Sequence, residues 1–165
     1  APSAQKIAQV GEHMIKVRSG RREDASHIVD FQIRLAQETE DFELDRPTVE
    51  LGVQAVFDDS NKGAYWVAEA NGKVVGCLLT VPEWSDWRNG TVLWIHSVYV
   101  VAEARRQGVF RAMYDALKAR VEASDNLRGL RLYVETENER AQQTYEAIGM
   151  NGDHYRMFEW MREGW

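Results

Sequence analysis

The order of elements legible in the chain, β-α-α-β-β-β-α-β-α-β, predicts a mixed α/β (α+β) protein with helices packed on a mainly antiparallel sheet. Three observations carry that expectation. Apolar residues alternate in some segments and recur at helical spacing in others. Asn71-Gly72 stands between two apolar runs, a strong hairpin signal that makes the flanking strands antiparallel. The run 91–101, the amphipathic stretch 108–121 and the run 129–134 make a strand-helix-strand unit, whose two strands must be parallel.

The elements follow in order. Residues 14–18 alternate and read as a first strand, closed by Gly20. Ile28, Phe31 and Leu35 recur at helical spacing within 22–38. An acidic stretch follows: Glu38, Glu40, Asp41, Glu43 and Asp45. Pro47, favourable in a first turn, opens a second helix to about residue 58 that carries Val49, Val53, Val56 and Phe57. Strands are expected at 64–69 and 73–82, then a polar, aromatic loop over 83–90, then the long β-branched run 91–101. The helix at 108–121 aligns Phe110, Met113, Tyr114, Leu117 and Val121 on one face. The helix at 138–148 aligns Ala141, Tyr145 and Ile148 and stops at Gly149. Residues 155–161 alternate and read as a closing strand.

Composition excludes several classes. At 165 residues, 44% of them apolar and 28% charged, the chain can bury one core and is not intrinsically disordered. A net charge of −6 gives no bulk attraction to nucleic acid. No apolar run approaches the ~20 residues that span a bilayer. Residues 1–12 hold a single lysine and no apolar h-region, so they read as a polar extension rather than a signal peptide, ahead of one domain over 13–165. Cys77 is the only cysteine, which rules out an intrachain disulfide and fits a cytoplasmic setting. His13, His27, His96 and His154 are scattered, with no metal-ligand spacing.

The basic residues are placed unusually. Arg105, Arg106 and Arg111 surround the expected helix start at Gly108. A helix N-terminus carries partial positive charge and normally attracts Asp or Glu. Three cations there make sense when a multiply charged anion meets the N–H groups of the first turn, with glycine allowing close approach. The alternative is a solvated basic loop that glycine merely shapes.

The run from Ile95 to Phe110 resembles the acetyl-CoA motif of the GCN5-related N-acetyltransferase (GNAT) family, Arg/Gln-x-x-Gly-x-Gly/Ala. Arg105 and Gly108 match its first and fourth positions, and Phe110 replaces the usual small sixth residue. Downstream, Asn138, Ala141, Tyr145 and Gly149 resemble the family's Asn-x-x-Ala-x-x-x-Tyr-x-x-x-Gly-Phe signature, with Met150 in place of Phe. The two signatures cover about a third of the chain. The resemblance implies the family fold: a mixed, mainly antiparallel sheet of six to seven strands flanked by four helices. It implies acetyl-CoA as cosubstrate, held in a cleft where strands 91–101 and 129–134 splay apart. The backbone of Val98, Tyr99 and Val100 would bind the pantetheine arm. The amides of Arg106, Gln107, Gly108, Val109, Phe110 and Arg111 would cradle the pyrophosphate beside Arg105, and Asn138 would touch the cofactor arm.

An amine with a pKa near ~10.4 is protonated at neutral pH and must lose a proton before it attacks a thioester. His96 is the candidate base. Strand alternation puts it on one face with Val98 and Val100, and it aligns with the position where the family's polyamine acetyltransferases carry a carboxylate base. The alternative is a hydrogen-bonded histidine filling a strand position. Tyr145 matches the family tyrosine placed near the CoA sulfur and is the candidate acid; the alternative is an aromatic anchor. The oxyanion would rest on the Val98 N–H. Cys77, in an apolar strand, reads as a packed residue.

The expected activity is transfer of an acetyl group to a primary amine of a small molecule or peptide, by direct attack in a ternary complex. The acidic stretch 38–45 favours a cationic acceptor or is a solvated loop, and Trp84 and Trp87 form ligand walls or pack on the sheet. A non-catalytic acyl-CoA sensor and transfer of another acyl group stay open as alternatives. The family resemblance allows a homodimer.

Overall fold

The computed structural model describes residues 8–10 and 13–164. They fall into two compact units that divide after Arg131. The first unit holds one sheet of six strands in sequence order: β1 (Ala8–Val10), β2 (His13–Ser19), β3 (Ala64–Ala70), β4 (Lys73–Ser85), β5 (Gly90–Val100) and β6 (Leu127–Arg131). The first four pairings are antiparallel and the β5–β6 pairing is parallel. Helices α1 (Ala25–Glu40), α2 (Arg46–Asp58) and α3 (Val109–Glu122) complete this unit.

Local sequence explains most of these boundaries. Asn71 and Gly72 both have positive φ, 53° and 75°, as a two-residue hairpin loop requires, and Ala70 pairs with Lys73 across them. Asp45 caps α2 by accepting the Thr48 N–H at 3.1 Å, with Pro47 in the first turn. The core lies on both faces of the central strands. Phe31 of α1 meets Tyr99 of β5 at 5.3 Å, and Phe57 of α2 meets Tyr65 of β3 at 5.5 Å, so α1 and α2 share one face. Trp66, adjacent to Tyr65 and therefore on the opposite face, lies under Arg120 of α3 at 5.2 Å.

Several boundaries differ from the sequence reading. The polar extension expected over 1–12 lies outside the described residues except for Ala8–Val10, which pair with His13–Ile15 as β1. Three residues are too few to register as alternation. The loop expected over 83–90 is shorter, because Trp84 pairs with Thr91 and Ser85 with Gly90, leaving a turn at 86–89 with Asn89 at φ 44°. Strand β6 begins and ends earlier than 129–134. The Arg128 side chain ties its start to the preceding hairpin by bonding the carbonyls of Arg88 and Asn89, each at 3.1 Å.

The second unit runs from Leu132. Its helix α4 (Glu139–Ala147) is capped by Asn138, whose Oδ1 accepts the Ala141 N–H at 3.1 Å. Gly149 at φ 95° ends it, with the Met150 N–H bonded to the Tyr145 carbonyl at 3.0 Å, a Schellman closure. No strand forms over 155–161, a departure from expectation. The alternation there puts Tyr155 and Met157 on one side but Phe158 and Trp160 on the other, so neither face is marked for burial. All four are exposed.

Candidate active site

Strand β5 organises the site. Its ladder with β4 runs to Val100, opposite Gly76, but its ladder with β6 stops at Trp94, opposite Arg131. From Ile95 to Val100 the sheet therefore pairs β5 with β4 only. The register also slips: Leu79 pairs with His96 and Cys77 with Tyr99, so one extra residue sits on β5 opposite Leu78. Ser97 takes it up at φ 53°, and neither Ser97 nor Val98 has a register partner. This is a β-bulge, which re-aims the side chains around it.

The bulge corrects the sequence reading of His96. Directly opposed residues share a face, and Cys77 and Leu79, two apart, share one as well. His96 therefore lies on the face of Tyr99, towards α1 and α2, and not with Val98 and Val100 as plain alternation gave. It falls in one cross-strand row with Leu79 and Tyr65, two strand spacings or about 10 Å from Tyr65. The imidazole stacks on Trp94, centroids 6.0 Å apart and planes 5° apart. Burial lowers its pKa below the ordinary histidine value. Trp94 donates to Glu83 Oε2 at 2.8 Å, and Arg131 donates to Glu83 Oε1 at 2.8 Å, so three strands brace the ring that His96 stacks on.

Beyond Val100 the chain makes a short 3₁₀ turn (Ala102–Ala104) and enters α3. Gly108, at φ 78° and ψ 18°, is the N-cap, with no side-chain cap and no acidic residue in the first turn. The helical ladder begins with the Ala112 N–H bonding to the Gly108 carbonyl at 2.9 Å. The N–H groups of the preceding turn have no intrahelical acceptor. Gly76 lets this helix start sit close to the sheet: a Cβ there would come within 3.1 Å of the Tyr99 carbonyl and 3.2 Å of Val109.

The charge at this turn is smaller than three arginines suggest. Arg105 donates to Glu38 Oε2 at 2.5 Å and to the Val100 carbonyl at 2.9 Å, with its guanidinium 5.5 Å from the Tyr99 ring centroid. Arg111 meets Asp115 at 3.3 Å on its own helix. Arg106, at φ 62°, is exposed and takes part in none of the ion pairs among the described residues. Tyr99 is buried and its hydroxyl donates to Glu38 at 2.9 Å, so only its backbone faces the β5 edge. Burial raises the Glu38 carboxyl, but its bonds from Arg105 and Tyr99 outweigh that and hold it below the usual range. Gln107 donates to the Glu103 carbonyl at 2.9 Å. Val109 is buried, and Phe110 tilts against Tyr114 of its own helix at 6.4 Å.

Tyr145 and Asn138 belong to the second unit. Tyr145 is half-buried, and burial raises its hydroxyl pKa above the ordinary tyrosine value. Cys77 is fully buried with its thiol pushed up to about 12, which removes it as a nucleophile. Trp84, on β4, and Trp87, in the turn after it, are both exposed. Among the described residues, no group of three or more His, Cys, Asp or Glu could hold a metal ion, and no helix is long and apolar enough to cross a membrane.

A pocket of about 240 Å³ opens on the α1–α2 face and reaches the bulge. Gln32 of α1, Leu44 of the connection, Val49 and Gly52 of α2, Tyr65 of β3 and Ser97 of β5 line it. Sequence patterns did not reveal it, because its walls come from five segments. A larger groove of about 700 Å³ between α1 and α2 is lined by Asp30, Arg46 and Glu50 and takes no residue from β5.

Comparison with known proteins agrees with this arrangement. The model of the acetyltransferase (GNAT) family matches residues 30–150. A possible acetyltransferase from Clostridium difficile 630 is 42% identical, with 90% of this chain and 97% of that one covered and a TM-score of 0.84. A predicted acetyltransferase from Clostridium acetobutylicum, solved with acetyl-CoA, is 18% identical over 88% of this chain and 96% of that one, TM-score 0.67. An aminoglycoside N-acetyltransferase in complex with CoA is 14% identical over 91% and 96%, TM-score 0.73. These last two share the fold. A search of curated proteins found no match. The chain belongs to the GNAT acetyltransferase family and is an acetyl-CoA-dependent acyltransferase.

Proposed function

We propose that this protein transfers the acetyl group of acetyl-CoA to a primary amine, by direct attack in a ternary complex. The observation that carries the reading is the early end of the β5–β6 ladder at Trp94 and Arg131. It leaves a stretch of β5 backbone that leads to the uncapped, acid-free start of α3. An extended arm can add to such an edge as a strand does, and a diphosphate suits the helix start. Acetyl-CoA supplies the acyl thioester. The residues then have distinct tasks. The backbone of Val98, Tyr99 and Val100 would hold the arm, and the amides of Arg106 to Arg111 the diphosphate. Arg105, engaged by Glu38 and Val100, would fix the turn rather than bind phosphate directly.

His96 would accept the amine's proton. Its lowered pKa keeps the ring neutral at pH 7, ready for that task. Val98, out of register with β4, would supply the N–H that holds developing charge on the carbonyl oxygen. Tyr145 would protonate the departing sulfur; the signature around it and a hydroxyl that keeps its proton at neutral pH support this. The homodimer is proposed on the family resemblance alone, and the cytoplasmic location on the single cysteine, Cys77.

The test is acetyl-CoA-dependent thiol release measured across small amines and peptides. Turnover with any of them supports the reading. Tight acetyl-CoA binding with no turnover across the whole set would favour a sensor.

A further inference from the structure

Gly52 stands in the interior of α2, where glycine weakens a helix relative to alanine. Packing does not call for it: a Cβ at this position would meet no atom within 4 Å. Elsewhere in the chain the contrast is plain, since a Cβ at Gly63 would come within 2.6 Å of the Thr80 carbonyl oxygen. Gly52 is one of the residues that line the pocket reaching Ser97. Val49 and Val53, one helical turn apart, wall it beside Gly52, with Leu44 and Tyr65 across from them.

No charged side chain lines this pocket. None of the five carboxylates of the acidic stretch lines it, and three of them are engaged elsewhere. Glu38 is bound by Arg105 and Tyr99. Asp41 accepts from Gln37 at 2.8 Å. Asp45 caps α2 through Thr48. At about 240 Å³ the pocket is also below the ~300 Å³ at which sites for drug-sized ligands begin.

Resting on the proposed acetyl transfer, we propose that Gly52 keeps open a seat for a short, uncharged acceptor tail. The acceptors are then monoamines with a compact aliphatic tail, and not diamines or polyamines. A second ammonium in this seat would lose its water against Leu44, Val49 and Val53 with no carboxylate to replace it.

The experiment compares straight-chain primary monoamines of increasing length with the diamines of matching length, using acetyl-CoA and the full chain. Monoamines are expected to have kcat/KM at least about tenfold above their diamine partners. Gly52→Leu should raise KM about tenfold or more for the longer monoamines while leaving acetyl-CoA affinity unchanged. Gly52→Ala, a milder filling, should raise Tm and shorten the accepted tail. Methyl chemical shifts of Leu44, Val49 and Val53 read the pocket independently of turnover. They should move with monoamine, stay with diamine, and cease to respond in Gly52→Leu. Shifts of this kind without turnover of any amine would overturn the transfer reading and leave the seat standing. Equal or better use of diamines, or a length profile unchanged in Gly52→Leu, would overturn the seat alone.

Discussion

His96 and Tyr99 lie on the same face of β5 although they stand three apart in sequence, because the bulge at Ser97 absorbs one residue between them. The consequence is chemical. Without the bulge, His96 would share a face with Val98 and Val100. With it, the imidazole joins the face that carries α1, α2 and the pocket, where an acceptor amine can be held.

The first prediction concerns pH. Burial lowers the His96 pKa, so activity should fall on the acid side through a pKa below the ordinary ~6.5. His96→Gln should remove that limb and lower kcat/KM by about 10²–10⁴. The same group affects stability. A ring whose folded pKa is depressed contributes stability above its unfolded pKa, and that contribution is lost as pH falls through the folded value. Unfolding in urea at pH 5 and pH 7.5 should therefore differ less for His96→Gln than for the parent chain. A pH–rate profile identical in the two proteins would leave His96 a packing residue.

Tyr145→Phe should lower kcat by about 10²-fold or more while acetyl-CoA affinity stays within a factor of about two. The readouts are steady-state kinetics and calorimetry on the same protein. An unchanged kcat would remove the hydroxyl from the chemistry.

The Glu38–Arg105 pair tests the turn. Both side chains are about 43–44% exposed, so Glu38→Gln should cost no more than ~1 kcal/mol of stability. It should nonetheless weaken CoA binding several-fold, because Arg105 also holds the Val100 carbonyl and so fixes the chain that enters α3. Arg105→Ala should match it, and the double variant should add little to either. Additive losses would contradict a shared clamp.

A different network holds the fold. Arg18 donates to both oxygens of Asp24, at 2.7 and 2.9 Å, and to Glu69 at 2.9 Å, and the Arg18 and Asp24 side chains are 10% and 8% exposed. Asp24 also accepts the Arg21 N–H at 2.7 Å. Asp24→Ala should cost about 3 kcal/mol by leaving Arg18 partly uncompensated. The hydrogen bond from Arg18 holds the Asp24 carboxyl below its usual range against the opposing effect of burial. Its stabilising contribution is therefore full above the ordinary carboxylate pKa and is lost as pH falls through the lower folded value. Urea unfolding as a function of pH, with and without Asp24, measures it.

Much of this was legible in the chain, and the limits have physical causes. Asn71-Gly72, the Pro47 helix start and the Gly149 stop act through local backbone conformation, which residue type dictates directly. The Arg105 and Gly108 positions were legible through their spacing. The bulge was not, because Ser97 carries no turn signal; its positive φ accompanies a register shift against β4 that only the pairing of distant segments sets. Glu38 and Arg105 stand 67 residues apart, and their union consumed a charge that sequence counting assigned to the anion site. The pocket over Gly52 was equally hidden, since only packing reveals a glycine that touches nothing. The pattern at 155–161 promised a strand that an unmarked burial face did not specify.

Calorimetric titration of the full chain with CoA tests the central claim most directly, that the β5 edge and the turn into α3 hold the thioester's nucleotide arm. One saturable site per chain is expected, weakened as salt rises because a diphosphate is bound, and weakened by Gly108→Val, which a φ of 78° cannot accommodate without strain. Absence of heat with CoA and acetyl-CoA alike, with the chain folded by circular dichroism, would contradict it.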